Sequence, residues 1–168
     1  MIEKFKTLFF VKSSLICLYL ALTIPIPFIS IGNLKIFSIV LFFSGLYLIF
    51  SITSDYVETC NSKISYKTSF ISKVFGKKGW DINWKDIKKI SSLPTSQGSK
   101  IYYFNTDNGD NFLVPQRVEN FEKLLLNVWK NTGISINHIS YIAPLWTYKL
   151  LTFLSLLMIV GEVFSFLY

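Results

Sequence analysis

Two cysteines and a single histidine are all that this chain of 168 residues offers a soft metal or a redox couple. Cys17 lies inside an apolar run and Cys60 in a polar stretch, so the two are not expected to meet in a disulfide, which suits a reducing compartment. His138 has too few other ligand types around it to build a metal site, and neither zinc nor haem spacing is present. No Gly-rich loop follows a strand and opens a helix, which removes the usual route to nucleotide phosphates. No Ser stands in a nucleophile-elbow setting either. The carboxylates are scattered: Asp81 and Asp86 flank Trp84, while Asp107 and Asp110 flank a turn that water explains better than acid–base work does. These gaps argue against an enzyme, and no cofactor is expected.

Charge is also missing from long stretches. Ser13 to Ile31 carries none, inside an apolar run from Leu8 to Ile31, and Ile36 to Ser54 carries none. About 20 apolar residues suffice to cross a bilayer as helix. A signal peptide is the competing reading of the first run, since lysines precede it. No small-x-small cleavage site follows, however, and a second apolar run begins almost at once. Pro25 and Pro27 mark where the first helix stops or kinks, and Ile31-Gly32-Asn33 supplies the turn. Residues 1–54 are therefore expected to form a transmembrane hairpin, with spans at about 8–31 and 34–54. Small residues at Ser14, Cys17, Ala21, Ser38 and Gly45 fall at helical spacing, which would let the two helices approach closely.

A third run starts near Pro144 and reaches Tyr168, with Trp146 and Tyr148 suited to the headgroup level and Lys149 able to snorkel. Residues 138–168 read as a connector and a third transmembrane helix. Glu162 interrupts this run and is a candidate intramembrane polar contact, on a face shared with Ser155, Met158 and Ser165. The plainer reading puts Glu162 near the far surface, reaching water.

Charge is not evenly placed. Met1–Lys12 carries a net +2, and Asp55–Ile142 has twelve basic residues against eight acidic. Positive charge beside apolar segments points to a membrane, and it is too modest for nucleic acid. By the positive-inside rule the chain is integral to a membrane, a cell inner membrane or a thylakoid. Its N-terminus and middle domain face the cytoplasm or the stroma-like side, and its C-terminus lies on the opposite face.

Between the apolar runs, residues 55–137 switch to short alternating segments. Tyr56–Cys60 reads as a strand; Ile64, Tyr66, Thr68 and Phe70 alternate with polar residues; Trp80, Ile82 and Trp84 form the next inward row. Gly76-Lys77-Lys78-Gly79 turns the chain, and Asp86 to Ile90 reads as a short helical turn leading into another strand. Ile101–Asn105 and Asn111–Val114 form a hairpin around Asp107-Asn108-Gly109-Asp110, because Asn-Gly accepts positive φ. Phe121, Leu124, Leu125 and Val128 then mark an amphipathic helix closed by Gly133.

From the hairpin to about Ile136, this order resembles bacterial membrane proteins with a pleckstrin-homology (PH) domain. The comparable parts are the stretch Ile82-Asn83-Trp84-Lys85-Asp86-Ile87-Lys88-Lys89-Ile90, the hairpin Ile101–Val114 and the helix Val118–Lys130. The layout is also similar to the photosystem I assembly protein of cyanobacteria and plastids, through Phe75-Gly76-Lys77 to Asp86-Ile87. The third apolar helix and the His138–Tyr148 connection depart from that second pattern. The PH resemblance implies an antiparallel β-barrel closed by one C-terminal helix. Overall the expectation is a membrane α plus α/β protein.

The resemblance also implies that basic residues in early loops contact lipid phosphates. The matching cluster is basic and aromatic: Lys63, Lys67, Lys73, Phe75, Lys77, Lys78 and Trp80, a candidate lipid or partner surface. Its plainest reading is a solvated surface held near anionic headgroups by the hairpin. The function expected first is a non-catalytic docking domain, an assembly or scaffolding factor with a membrane-protein partner besides the lipid bilayer. The alternatives are a module responsive to anionic lipid headgroups, or a small subunit of a membrane enzyme or transporter using Glu162.

Overall fold

The computed structural model describes residues 2–167 and divides them into two units, one of sheets and one of apolar helices. The sheet unit takes the chain up to Leu8 and again from Ser54 to Ala143. It opens with β1 (Glu3–Lys6), which pairs antiparallel with β2 (Tyr56–Thr59), Phe5 facing Val57. Forty-nine residues, most of them apolar, separate two adjacent strands. β3 (Lys63–Lys67) and β4 (Trp80–Asn83) complete a four-stranded sheet in the order β1-β2-β3-β4. After a 3-10 turn at Trp84–Asp86 come β5 (Ile87–Pro94), β6 (Lys100–Thr106) and β7 (Asn111–Leu113), a three-stranded antiparallel sheet.

The strands therefore form two sheets, and no continuous ladder closes them into the barrel expected from the sequence. An isolated bridge joins Thr7, just after β1, to Val118, beyond β7. It is flanked by bonds from Leu8 N to Arg117 O and from Glu119 N to Lys6 O, each 2.9 Å. The alternation of side chains along a strand explains the core: Phe5, Val57, Ile64, Ile82, Tyr102 and Phe104 all turn inward and are buried. Trp84 fills the gap beside them and donates its indole N–H to Cys60 O at 2.7 Å.

Following the sheets, a helix that we label αC (Phe121–Thr132) lays Phe121, Leu124, Leu125 and Val128 on this core. Gly133 ends it in the left-handed region, φ 72°, with its N–H on Trp129 O. Glu3 reaches the same helix, pairing with Lys123 at 2.7 Å and accepting from Asn127 at 2.8 Å. The connector past the helix is held on the sheet unit too. Tyr102 donates to His138 O at 2.6 Å, Gln116 donates to Ser140 O at 2.8 Å, and Ile139 is buried.

Two local expectations change here: the helical turn read over Asp86 to Ile90 lies at Trp84–Asp86, with Ile87 already in β5. The alternating row Ile64, Tyr66, Thr68, Phe70 does not run as a single strand, because β3 stops at Lys67 and a short helix, αP (Phe70–Val74), begins. Ser69 is the cause: it takes an extended N-cap conformation, and its hydroxyl accepts the Ser72 N–H at 3.2 Å. Gly79 then lets the chain return against β3, since a Cβ there would lie 2.6 Å from Tyr66 O.

The helical unit holds three helices long and apolar enough to cross a membrane: Phe9–Ile29, Asn33–Ile52 and Leu145–Phe166. The first is interrupted near Ile24 and Pro25, where prolines remove backbone donors. Ser14 and Ala21 on the first helix and Ser155 on the last are buried within this unit, small side chains at the points of closest packing. Lys12 lies 4.9 Å from the Phe50 ring and Lys149 lies 5.0 Å from Phe10, so both ammonium groups find aromatic faces.

Tyr19 donates to Phe42 O at 2.8 Å, and its ring occupies the space left by Gly45. A Cβ at Gly45 would overlap the Tyr19 hydroxyl. Gly45→Ala is thus expected to weaken the pairing of the first two helices by about 1–2 kcal/mol. The full chain should then unfold at a lower fraction of SDS in mixed micelles, and adding Tyr19→Leu should recover most of the loss. An unchanged SDS midpoint would mean that the tyrosine is not wedged there.

Candidate functional site

Asp55 organises the best-defined polar cluster of the sheet unit. It stands just before β2, only 3% exposed, three residues after the helix that ends at Ile52. Its Oδ1 accepts the Ser69 N–H at 2.8 Å and the Ser72 hydroxyl at 3.0 Å. Its Oδ2 accepts the Lys77 ammonium at 2.7 Å and the Tyr66 hydroxyl at 3.0 Å. The backbone oxygen of the same residue accepts the Thr7 hydroxyl at 2.9 Å. One residue therefore gathers the end of β1, the strand β3, the N-cap and middle of αP and the loop beyond it.

Burial pushes the Asp55 carboxyl up, but the Lys77 ammonium and the donors from Ser69 and Ser72 outweigh it and hold the group below the ordinary carboxylate range. For Lys77, burial works downward and is outweighed by Asp55 and Tyr66, so the ammonium is held above its usual value. Its charge also lies 5.1 Å from the Tyr66 ring centre. A carboxylate so fully supplied with donors is a weak proton acceptor. The arrangement suits a clasp that fixes αP.

Of the residues singled out from the sequence, Lys77 is thus committed to Asp55. Lys63 and Lys67 pair with Asp81, at 3.7 and 3.0 Å, and Ser65 donates to the same carboxylate. Ser65 and Lys67 hold the Asp81 carboxyl below its usual range. Trp80 is half-buried, packed edge-on against Phe104 and at a tilt against Tyr66 and Phe112 at ring distances of 5.8 to 6.0 Å, and so belongs with the core. Lys73, Phe75 and Lys78 remain on the surface, and neither lysine makes an ion pair among the described residues. Beside them, Phe70 and Val74 are exposed by 80% and 68%.

Two other places carry unusual side chains. On the outer side of αC, Leu126 and Trp129 lie one turn apart and both are about half exposed. In the third apolar helix, Glu162 Oε2 is enclosed and has no hydrogen-bond partner among the described residues. No group of three His, Cys, Asp or Glu side chains among the described residues could hold a metal ion.

Sequence reasoning missed Asp55, Phe70 and Val74. A lone acid at the end of an apolar run was the one signal for Asp55, and its donors lie up to 22 residues further on.

No protein-family model matches the chain. A protein of the cyanobacterium Synechocystis, named Uncharacterized protein slr0269, is 30% identical over 154 residues. The match takes in 88% of this chain and 77% of the relative, enough to reach into both units. The chain belongs to the same protein family as that cyanobacterial relative.

Proposed function

We propose that this is a non-catalytic integral membrane protein whose PH-like sheet unit docks other proteins at one membrane face, as an assembly or scaffolding factor. The PH-like reading is supported by the order of elements: four strands, then three, then a helix that lays its apolar side on the core. Adjacent strands β1 and β2 can pair only on one side of a bilayer, which favours a hairpin that crosses and returns. The lysines make that side the cytoplasmic or stroma-like one, and the third helix then carries the C-terminus to the opposite face.

The observation that carries the docking reading is the half-exposed pair Leu126 and Trp129 on a helix whose other side is locked to the core. A rigidly held tryptophan beside an aliphatic neighbour is the kind of anchor on which protein interfaces concentrate their energy. A tagged copy purified from membranes in mild detergent is expected to bring down one defined complex. Changing both Leu126 and Trp129 to Ser should lose it, since hot-spot truncation costs about 2 kcal/mol or more, roughly 30-fold in affinity. Elution of the protein alone would end the docking reading.

A further inference from the structure

The helix αP is built the wrong way round for water. Its polar side, Ser69 and Ser72, is turned inward onto Asp55, and Ser72 is buried. Phe70, Val74 and Phe75 point outward and are among the most exposed apolar side chains of the sheet unit. Lys73 and Lys78 stand among them, and Gly76, at φ 80°, folds the loop back so that Lys77 N–H reaches Ser72 O at 2.9 Å. A folded domain that leaves three large apolar groups and two unpaired cations together on one short projection has arranged them for an apolar layer with negative charge at its border.

Chain reach says which layer is at hand. Asp55, which grips the N-cap of αP and the loop beyond it, is three residues beyond Ile52, the last residue of an apolar helix, so the connection can span no more than roughly 10 Å.

We propose that this projection, residues 69–78, dips into the interfacial layer of an anionic bilayer. Phe70, Val74 and Phe75 enter among the upper acyl chains, and Lys73 and Lys78 lie at the lipid phosphates. The Asp55 clasp presets the projection, so that no ordering of the loop opposes insertion. This rests on the reading that the apolar helices span the membrane, and it goes beyond docking, because it assigns a second anchoring point to the sheet unit. Lys63 and Lys67, paired with Asp81, take no part.

The test uses the full chain in lipid nanodiscs, with Cys17 and Cys60 changed to Ser and one environment-sensitive fluorophore attached at Val74→Cys. The discs hold phosphatidylcholine, with or without phosphatidylglycerol, and a lipid bearing a nitroxide on its acyl chain as quencher. Two further labelled proteins serve as references: Phe43→Cys within the second apolar helix and Asn108→Cys at the β6–β7 turn.

The label at position 74 is expected to be quenched in the anionic discs, well beyond the label at 108. Replacing Lys73 or Lys78 by Gln should reduce the equilibrium constant for insertion about fivefold each, and added salt should act in the same direction. If position 43 is quenched while position 74 behaves like position 108, the projection stays in water or meets a protein, and the proposal falls although the spans stand. Equal quenching in neutral discs, unmoved by the lysine changes, overturns the role of lipid charge. An unquenched label at 43 removes the spanning reading and this proposal with it.

Discussion

Replacing Phe5 with Ala is expected to destabilise the sheet unit by about 3–5 kcal/mol, the cost of emptying a large aromatic site in a packed core. Phe5 is 4% exposed and meets Val57 across the β1–β2 pair, although its own strand is only four residues long and precedes the first apolar helix. For a sheet unit of this size such a loss lowers the melting temperature by about 15 °C or more. The transition can be followed in detergent by near-ultraviolet circular dichroism of the tyrosines and tryptophans. Lys4→Ala supplies the contrast one residue away. Lys4 pairs with Glu58 at 3.0 Å at the surface, its own side chain more than half exposed, so its removal should leave the transition in place. If Phe5→Ala melted like the parent protein, β1 would have to be an unpaired tail.

The second large effect is at the clasp. Asp55→Asn keeps the shape but turns one acceptor into a donor that faces the Lys77 ammonium and the Tyr66 hydroxyl. Lys77 is about half exposed and can turn its charge to water, which limits the damage to about 2–4 kcal/mol. The pH dependence has a definite sign. Folding lowers the Asp55 pKa, so between its folded and unfolded values the unfolded chain binds more protons, and stability rises with pH. The clasp's contribution is therefore present above the unfolded value, about 4, and lost as pH falls through the folded one. Folding raises the Lys77 pKa, so its contribution is present below the unfolded value, about 10.4, and fades as pH rises through the folded one. Melting curves of the parent protein and Asp55→Asn should differ most between these limits and converge toward both ends. A gap that stayed constant with pH would mean that the pair carries no charge-dependent stability.

Local pattern was enough for the parts of the fold that are local. The Asn108-Gly109 turn sits between β6 and β7, with Gly109 at φ 82°, and the 3-4 spacing of Phe121 to Val128 became the buried side of αC. The apolar runs appear as long helices for the same reason. β1 escaped notice because Glu3-Lys4-Phe5-Lys6 holds one apolar residue between two lysines, and its partner strand begins only at Tyr56. Read alone, those lysines looked like a flank of the first span. The helix αP was hidden by alternation that continued past Lys67, where Ser69 capped a turn instead. Of the basic cluster, sequence showed which lysines were near one another. It could not show that Asp55 and Asp81 would claim three of them, since each acid lies 14 to 22 residues from the lysine it pairs with.

If the two apolar helices span a membrane as proposed, the 49 residues between β1 and β2 also set an order on how the protein can be made. The ribosome delivers β1 first, and nothing in the chain can pair with it until both helices have been placed and the chain has come back to the side it left. A copy whose hairpin failed to return would leave Phe5 across the bilayer from its core and the edge of β2 bare, open to proteases and to stray strands. In that arrangement the first strand serves as a receipt for correct insertion: only a chain that has crossed and recrossed completes its sheet.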